Sequence, residues 1–162
     1  RRLLGVLLVA LAGFAVGQDV VWHGHWAVSS VQDEFTDEVR GVAFLAPVEQ
    51  PSVLYTTTLT MLCGPEGTDG VLTAVFDHPE FLFGRTTSVT YRVDGKPARE
   101  GEWVVGSSYV GPVGPLASEF MSELVGGERL ILRLRDGGST MEFNIAGFSD
   151  AMRALGCYTG PL

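Results

Sequence analysis

The chain has 162 residues, 46% of them hydrophobic and 10% aromatic, enough for one domain with a real core and incompatible with global disorder. Its formal net charge of −8 excludes nucleic acid or an anionic bilayer surface as the main partner, since both require a basic face. With 21 glycines and 8 prolines it is rich in turns, and with 19% charged residues it is not a low-complexity chain.

Arg1 and Arg2 precede an apolar run from Leu3 to Val16 that no charge interrupts. A positive start, an apolar stretch of about a dozen residues and small residues at the exit are the parts of a secretory signal peptide. Ala15-Val16-Gly17 fits the small-x-small rule and predicts cleavage after Gly17. An uncleaved membrane anchor competes with this reading, but the run falls short of the roughly 20 residues a bilayer span needs. Residues 1–17 are thus expected to be a signal peptide and 18–162 a single secreted β-rich domain. Losing Arg1 and Arg2 takes its charge from −8 to −10, and it has no stable membrane span after cleavage.

Along the remaining chain, apolar and polar residues alternate with period two, the pattern of half-buried strands. Strands are expected over 20–28, 39–46, 53–63, 71–76 and 102–109. In 53–63, Val53, Tyr55, Leu59, Met61 and Cys63 share one face, while Thr56, Thr58 and Thr60 fall on the other, as a solvated face of β-branched residues. Val89, Tyr91 and Val93 alternate with Thr90, Arg92 and Asp94. Leu130, Leu132 and Leu134 alternate with Arg129, Ile131, Arg133 and Arg135, and Met141, Phe143 and Ile145 with Glu142 and Asn144. Gly64 to Gly70 and Asp94-Gly95-Lys96-Pro97 supply turns, and Asp136-Gly137-Gly138 predicts a hairpin between the leucine and Met141 strands.

Two segments change period to about 3.6 residues. Pro115 suits a first helical position, Leu116, Phe120 and Leu124 lie on one face with Ala117 and Met121 beside them, and Gly126-Gly127 suits the stop. In a second short helix, Ser149 is the expected cap, Ala151, Met152 and Leu155 face inward, and Gly156 ends it. Sequential strands with helices as inserts predict a mainly β fold, an antiparallel β-sandwich or barrel with two short helices.

The two cysteines, Cys63 and Cys157, admit one intramolecular pairing in an oxidising compartment. That disulfide would close a loop of about 94 residues, worth roughly 4–5 kcal/mol in chain-entropy terms. A catalytic or redox thiol would want a nearby cysteine or a histidine partner, and the sequence places neither beside them.

Four constellations bear on chemistry. Trp22-His23-Gly24-His25-Trp26, read as strand, puts His23 and His25 on one face and the tryptophans on the other, buried. His23, His25 and His78 are weak metal candidates, because a closed zinc site needs four ligands. No metal or other cofactor is therefore assigned. Gly106-Ser107-Ser108 lacks the second glycine of a nucleophile elbow. Asp33, Glu34, Asp37 and Glu38, with Glu100 and Glu102, could supply paired carboxylates for glycoside hydrolysis, but they sit in polar, turn-like sequence and read as solvated charges. Arg129, Arg133 and Arg135 form a basic stripe with Arg92 on another strand's polar face. Cross-strand pairing with carboxylates is the plain account, and docking of an anionic group or partner protein the functional one.

The order of features resembles the periplasmic accessory proteins associated with type VI secretion (the TagO/VasI type). Asp33 to Asp37 stands before the strand from Val39 to Leu45, and Leu59-Thr60-Met61-Leu62-Cys63 ends in cysteine. Tyr91-Arg92-Val93-Asp94 is followed by Trp103 and by Ser107 and Ser108, then by a helix with Phe120 and Leu124 and a leucine-rich strand with arginines. Phe143-Asn144-Ile145-Ala146-Gly147-Phe148, Ala151 and Cys157 close the series. The segment here reads Gly-Ser-Ser where that pattern has Ser-Thr-Asp, and the helix before Cys157 is reduced. The resemblance implies a non-enzymatic accessory or binding protein, and it supplies no catalytic residues.

The expected function is that of an exported, periplasmic or secreted binding protein of the bacterial envelope, not an enzyme, whose partner is an envelope or secretion-apparatus protein. Arg92, Asp94, Arg129, Arg133 and Arg135 are its possible binding patch. The alternatives are an envelope-acting hydrolase or metal-binding protein, or a virulence-related surface interaction protein.

Overall fold

The computed structural model describes residues 19–32, 34–35, 37, 39–49, 57–63, 73–76, 86–106, 109–134 and 140–156. These form two antiparallel five-stranded sheets and two helices, a mainly β architecture compatible with a sandwich. The first sheet is a meander in chain order: β1 (Val21–His23), β2 (Trp26–Gln32), β3 (Val39–Leu45), β4 (Leu59–Cys63) and β5 (Thr73–Phe76). The second is built from β6 (Thr86–Val93), β7 (Arg99–Val105), β8 (Val110–Gly111), β9 (Arg129–Leu134) and β10 (Thr140–Asn144), in the order β10-β9-β6-β7-β8. Helix α1 (Pro115–Leu124) lies between β8 and β9 in the chain, and β9 returns to pair with β6. Helix α2 (Phe148–Leu155) follows β10 and packs on β1, β2 and β3.

The sheets meet along two margins. Strand β5 lies against β8, which gives the arrangement a half-barrel character. Beyond β3, the Val48 N–H donates to the Glu142 carbonyl on β10 at 2.7 Å. The inner faces share one core, from Trp26, Leu59 and Met61 of the first sheet to Val89, Leu130, Leu132 and Phe143 of the second, all fully buried. Each such aliphatic side chain contributes roughly 1.5–3 kcal/mol by leaving water. The Trp26 Nε1–H donates to the buried Ile145 carbonyl at 3.2 Å, and its ring centroid is 5.5 Å from that of Phe148. These contacts tie the first sheet to the start of α2. On the other side, Tyr91, Trp103 and Phe120 form an aromatic triad with centroid separations of 5.0–6.1 Å, which seats α1 on β6 and β7.

The alternating pattern is realised where it was expected on β6, β9 and β10, and β9 pairs antiparallel with β10 from Arg133↔Thr140 to Arg129↔Asn144, as a hairpin requires. The Asp136-Gly137-Gly138 tip lies outside the described residues, as do Val53, Tyr55 and the turn from Gly64 to Gly70. Strand β3 and the inward face of β4 (Leu59, Met61, Cys63) also match.

Several expectations are corrected. Residues 20–28 are not one strand: the chain reverses at Gly24-His25, and His23 pairs with Trp26. Gly24 has φ +61° at the first central position, as a type II′ hairpin turn requires. The reversal separates the two tryptophans, so Trp26 is fully buried while Trp22 is 67% exposed. The segment expected over 102–109 is instead β7, ending at Val105, followed by the short β8.

On α1 the buried residues are Ala117, Phe120, Met121 and Leu124, while Leu116 is exposed. At about 100° per residue, Ala117 falls at the centre of the arc set by the other three and Leu116 about 90° away. The cap of α2 is Gly147, not Ser149; Phe148 is drawn into the core as the first helical residue. The threonine face of β4 is not simply solvated, because Thr60 is buried whereas Leu62 beyond it is exposed.

Cys63 is buried at the end of β4, with its Sγ 3.9 Å from the Leu155 carbonyl oxygen at the end of α2. Cys157 lies outside the described residues. Cys63 is the single cysteine among them and is not a free thiol, so the expected pairing with Cys157 falls partly outside the described residues.

Candidate functional site

The outer face of the second sheet carries most of the residues singled out by sequence. Because Val89, Tyr91 and Val93 point into the core, Ser88, Thr90 and Arg92 point out; on β9 the same alternation turns Arg129, Ile131 and Arg133 outward. Thr140, Glu142 and Asn144 of β10 complete the face. Across it, Arg133 lies between Thr90 and Thr140, and Ile131 between Arg92 and Glu142. Arg92 and Arg133 are therefore diagonal neighbours on adjacent strands.

The members of the patch are not equivalent. Arg129 makes a two-pronged contact with Glu142, Nε to Oε1 at 2.8 Å and Nη2 to Oε2 at 2.7 Å. That fork raises the guanidinium's affinity for its proton and holds the Glu142 carboxyl below its usual range, with both groups in solvent. For Arg129 the cross-strand pairing expected of such a stripe is present.

Asp94 is architectural. It leaves β6 with φ +50°, a conformation Asp tolerates better than most residues. Its Oδ1 accepts the N–H groups of Glu128 and Arg129 at 3.1 and 2.9 Å, while its own N–H donates to the Arg129 carbonyl at 2.8 Å. The side chain thereby locks the end of β6 to the start of β9. In the same Tyr-Arg-x-Asp segment, Tyr91 belongs to the core triad, and burial pushes its phenol up, with Glu123 next in effect.

Arg92 and Arg133 remain. Both are exposed, and among the described residues neither has an ion-pair partner. The nearest carboxylate in register, Glu142, is held by Arg129, and Glu100 accepts a hydrogen bond from the Ser88 hydroxyl at 2.9 Å. Arg135 lies outside the described residues.

Among the described residues the other candidates do not assemble. His23 ends β1 and His25 occupies the turn, so the hairpin takes them off a common strand face, and His78 lies outside the described residues. Among the described residues no group of three or more His, Cys, Asp or Glu could hold a metal ion. Glu34 and Asp37 are exposed, with Gln32 donating to Asp37 at 3.3 Å; Glu100 and Glu102 are exposed on β7. Asp33, Glu38, Ser107 and Ser108 lie outside the described residues.

An open groove of about 560 Å³ lies where the β6–β7 turn meets the end of α1. Lys96, Pro97, Ala98, Arg99, Ser122 and Glu123 line it. Arg99 pairs with Glu123 at 2.8 Å, and the Lys96 ammonium donates to the Glu123 carbonyl at 3.4 Å. Sequence reasoning missed this groove: the turn is legible from Asp94-Gly95-Lys96-Pro97, but nothing local places α1 against it.

No helix among the described residues is long and apolar enough to cross a membrane. No family model, curated protein or solved structure matches the chain.

Proposed function

We propose that this chain is an exported, non-enzymatic accessory or binding protein of the bacterial envelope, akin to the periplasmic proteins of type VI secretion, and that it docks a partner protein through the outer face of its second sheet. Arg92 and Arg133 carry the docking proposal: two exposed guanidiniums on a rigid antiparallel face, without an ion-pair partner among the described residues of a chain with net charge −8. On such a chain carboxylates are abundant, and the face already shows in Arg129–Glu142 how one neutralises an arginine. Two arginines left without that partner suit recognition of a group brought by another molecule.

Export rests on Arg1-Arg2, the apolar run to Val16 and Ala15-Val16-Gly17, with cleavage after Gly17 and a periplasmic destination. The Cys63–Cys157 disulfide belongs to the same proposal. What supports it is the position of Cys63, buried beside Leu155, two residues before Cys157 in the chain. It would staple the end of α2 to β4.

The test is a pull-down from envelope extract with the mature domain and with the Arg92→Ala/Arg133→Ala double variant. A partner identified by mass spectrometry, retained by the first and lost by the second, is the expected result. Equal capture by both would overturn the docking face. Intact mass of the native protein, with and without reductant, tests cleavage and the disulfide separately from docking.

A further inference from the structure

We infer that Arg92 and Arg133 receive two carboxylates of one extended acidic segment of the partner protein, spaced two residues apart. The inference rests on the docking face proposed above and names what that face recognises.

Spacing is the first ground. Arg92 faces Ile131, and Arg133 is two residues further along β9, so the two arginines are diagonal neighbours on one face. Diagonal positions on adjacent antiparallel strands lie about 7–8 Å apart, somewhat less at Cβ. An extended chain rises about 3.3 Å per residue and puts residues i and i+2 on the same side, about 6.6 Å apart. A segment reading acid-x-acid therefore carries its acidic residues at a backbone spacing close to that of the two arginine positions. Adjacent acids would point to opposite sides.

The second ground is charge. The face offers two guanidiniums without a described partner, flanked by Glu142, Glu100 and Glu102, on a chain of net charge −8. Each guanidinium can pair with one carboxylate, while Glu100, Glu102 and the net charge of the chain repel any further negative charge, as a polyanion would bring. Hydroxyl groups supply the third ground. Thr90 and Thr140 stand on either side of Arg133 in register, so a carboxylate seated there has donors on both flanks.

Two acetylated, amidated peptides of identical composition separate the possibilities: Thr-Val-Glu-Thr-Glu-Val-Thr and Thr-Val-Glu-Glu-Thr-Val-Thr. Binding to the oxidised mature domain is followed by NMR chemical-shift changes at the arginine side chains, with inorganic phosphate as a further ligand. The alternating peptide should bind several-fold more tightly than its isomer and more tightly than phosphate. Its affinity should fall about threefold on Arg92→Gln or Arg133→Gln and about tenfold in the double variant, because exposed charge pairs are individually modest. Arg153→Gln, on α2 and paired with Asp150, should leave it unchanged.

Equal binding of the two isomers, equal binding of phosphate, or indifference to the double variant overturns the inference. If the peptides fail to discriminate while the double variant still loses its envelope partner, the docking face stands and the acid-x-acid ligand falls. If the double variant keeps that partner, the docking face falls first.

Discussion

Gly147 caps α2 and touches the turn between β1 and β2, which makes Gly147→Ala a sharp probe of how the first sheet is fastened. Gly147 has φ +90°, and a Cβ there would sit 2.4 Å from the His23 carbonyl oxygen and 3.0 Å from the Gly24 Cα. Gly156, at the other end of the same helix, has φ +73° with nothing within 4 Å of its added Cβ. The left-handed conformation costs an L-residue about 1–2 kcal/mol, partly offset by about 0.4–1 kcal/mol because alanine restricts the unfolded chain. Gly156→Ala should therefore cost about 1 kcal/mol.

Gly147→Ala carries the same conformational cost plus a clash with backbone that no side-chain rotation can relieve. Overpacking of this kind costs about 1–3 kcal/mol, so the total should be about 2–4 kcal/mol. Urea unfolding followed by tryptophan fluorescence, with free energies taken from midpoint and slope, measures both variants. Equal losses for Gly147→Ala and Gly156→Ala would show that the turn does not rest on the helix, and the fastening of β1–β2 to α2 would have to be abandoned.

Trp26→Phe removes the donor to the buried Ile145 carbonyl and part of a fully buried ring, and should cost about 2–4 kcal/mol by the same urea assay. Asp94→Ala removes the acceptor of two backbone N–H groups at a positive φ and should cost about 1–2 kcal/mol; Asp94→Asn, which keeps a side-chain oxygen and tolerates that φ, should cost less by thermal unfolding. Phe120→Ala opens the aromatic triad and should cost about 3–5 kcal/mol, with loss of near-ultraviolet circular dichroism from Tyr91 and Trp103. Glu142 has a lowered carboxyl pKa in the folded chain, so its pairing with Arg129 is fully present above the unfolded carboxylate range and is lost as pH falls through the lowered value. An NMR titration of its side-chain carboxyl should move upward in Arg129→Gln, and an unmoved curve would remove Arg129 as the cause.

The candidate face was largely legible before folding. Once alternation puts Leu130, Leu132 and Leu134 inward, Arg129, Ile131 and Arg133 must face out, and the same holds for Arg92 beside Val93. What alternation cannot provide is register. Only the pairing of β6 with β9 makes Arg92 and Arg133 neighbours, and only the pairing of β9 with β10 brings Glu142 within reach of Arg129. The four described members of one sequence patch thus part into a neutralised arginine, a backbone clamp at Asp94 and two arginines without a described ion-pair partner.

Composition and local pattern determined the mainly β class, the leucine strand and its return, both ends of α1, the stop of α2 at Gly156, and an acidic chain with few basic outlets. Period and propensity are properties of neighbours along the chain, and they act before any distant contact forms. Long-range packing decided the rest. Residues 20–28 carry a strand pattern on both sides of Gly24, and the reversal there is held by Ala146 and Gly147, more than a hundred residues away. Trp26 is buried and Trp22 exposed for the same reason: the hairpin delivers only Trp26 to the place under Phe148 and Ile145.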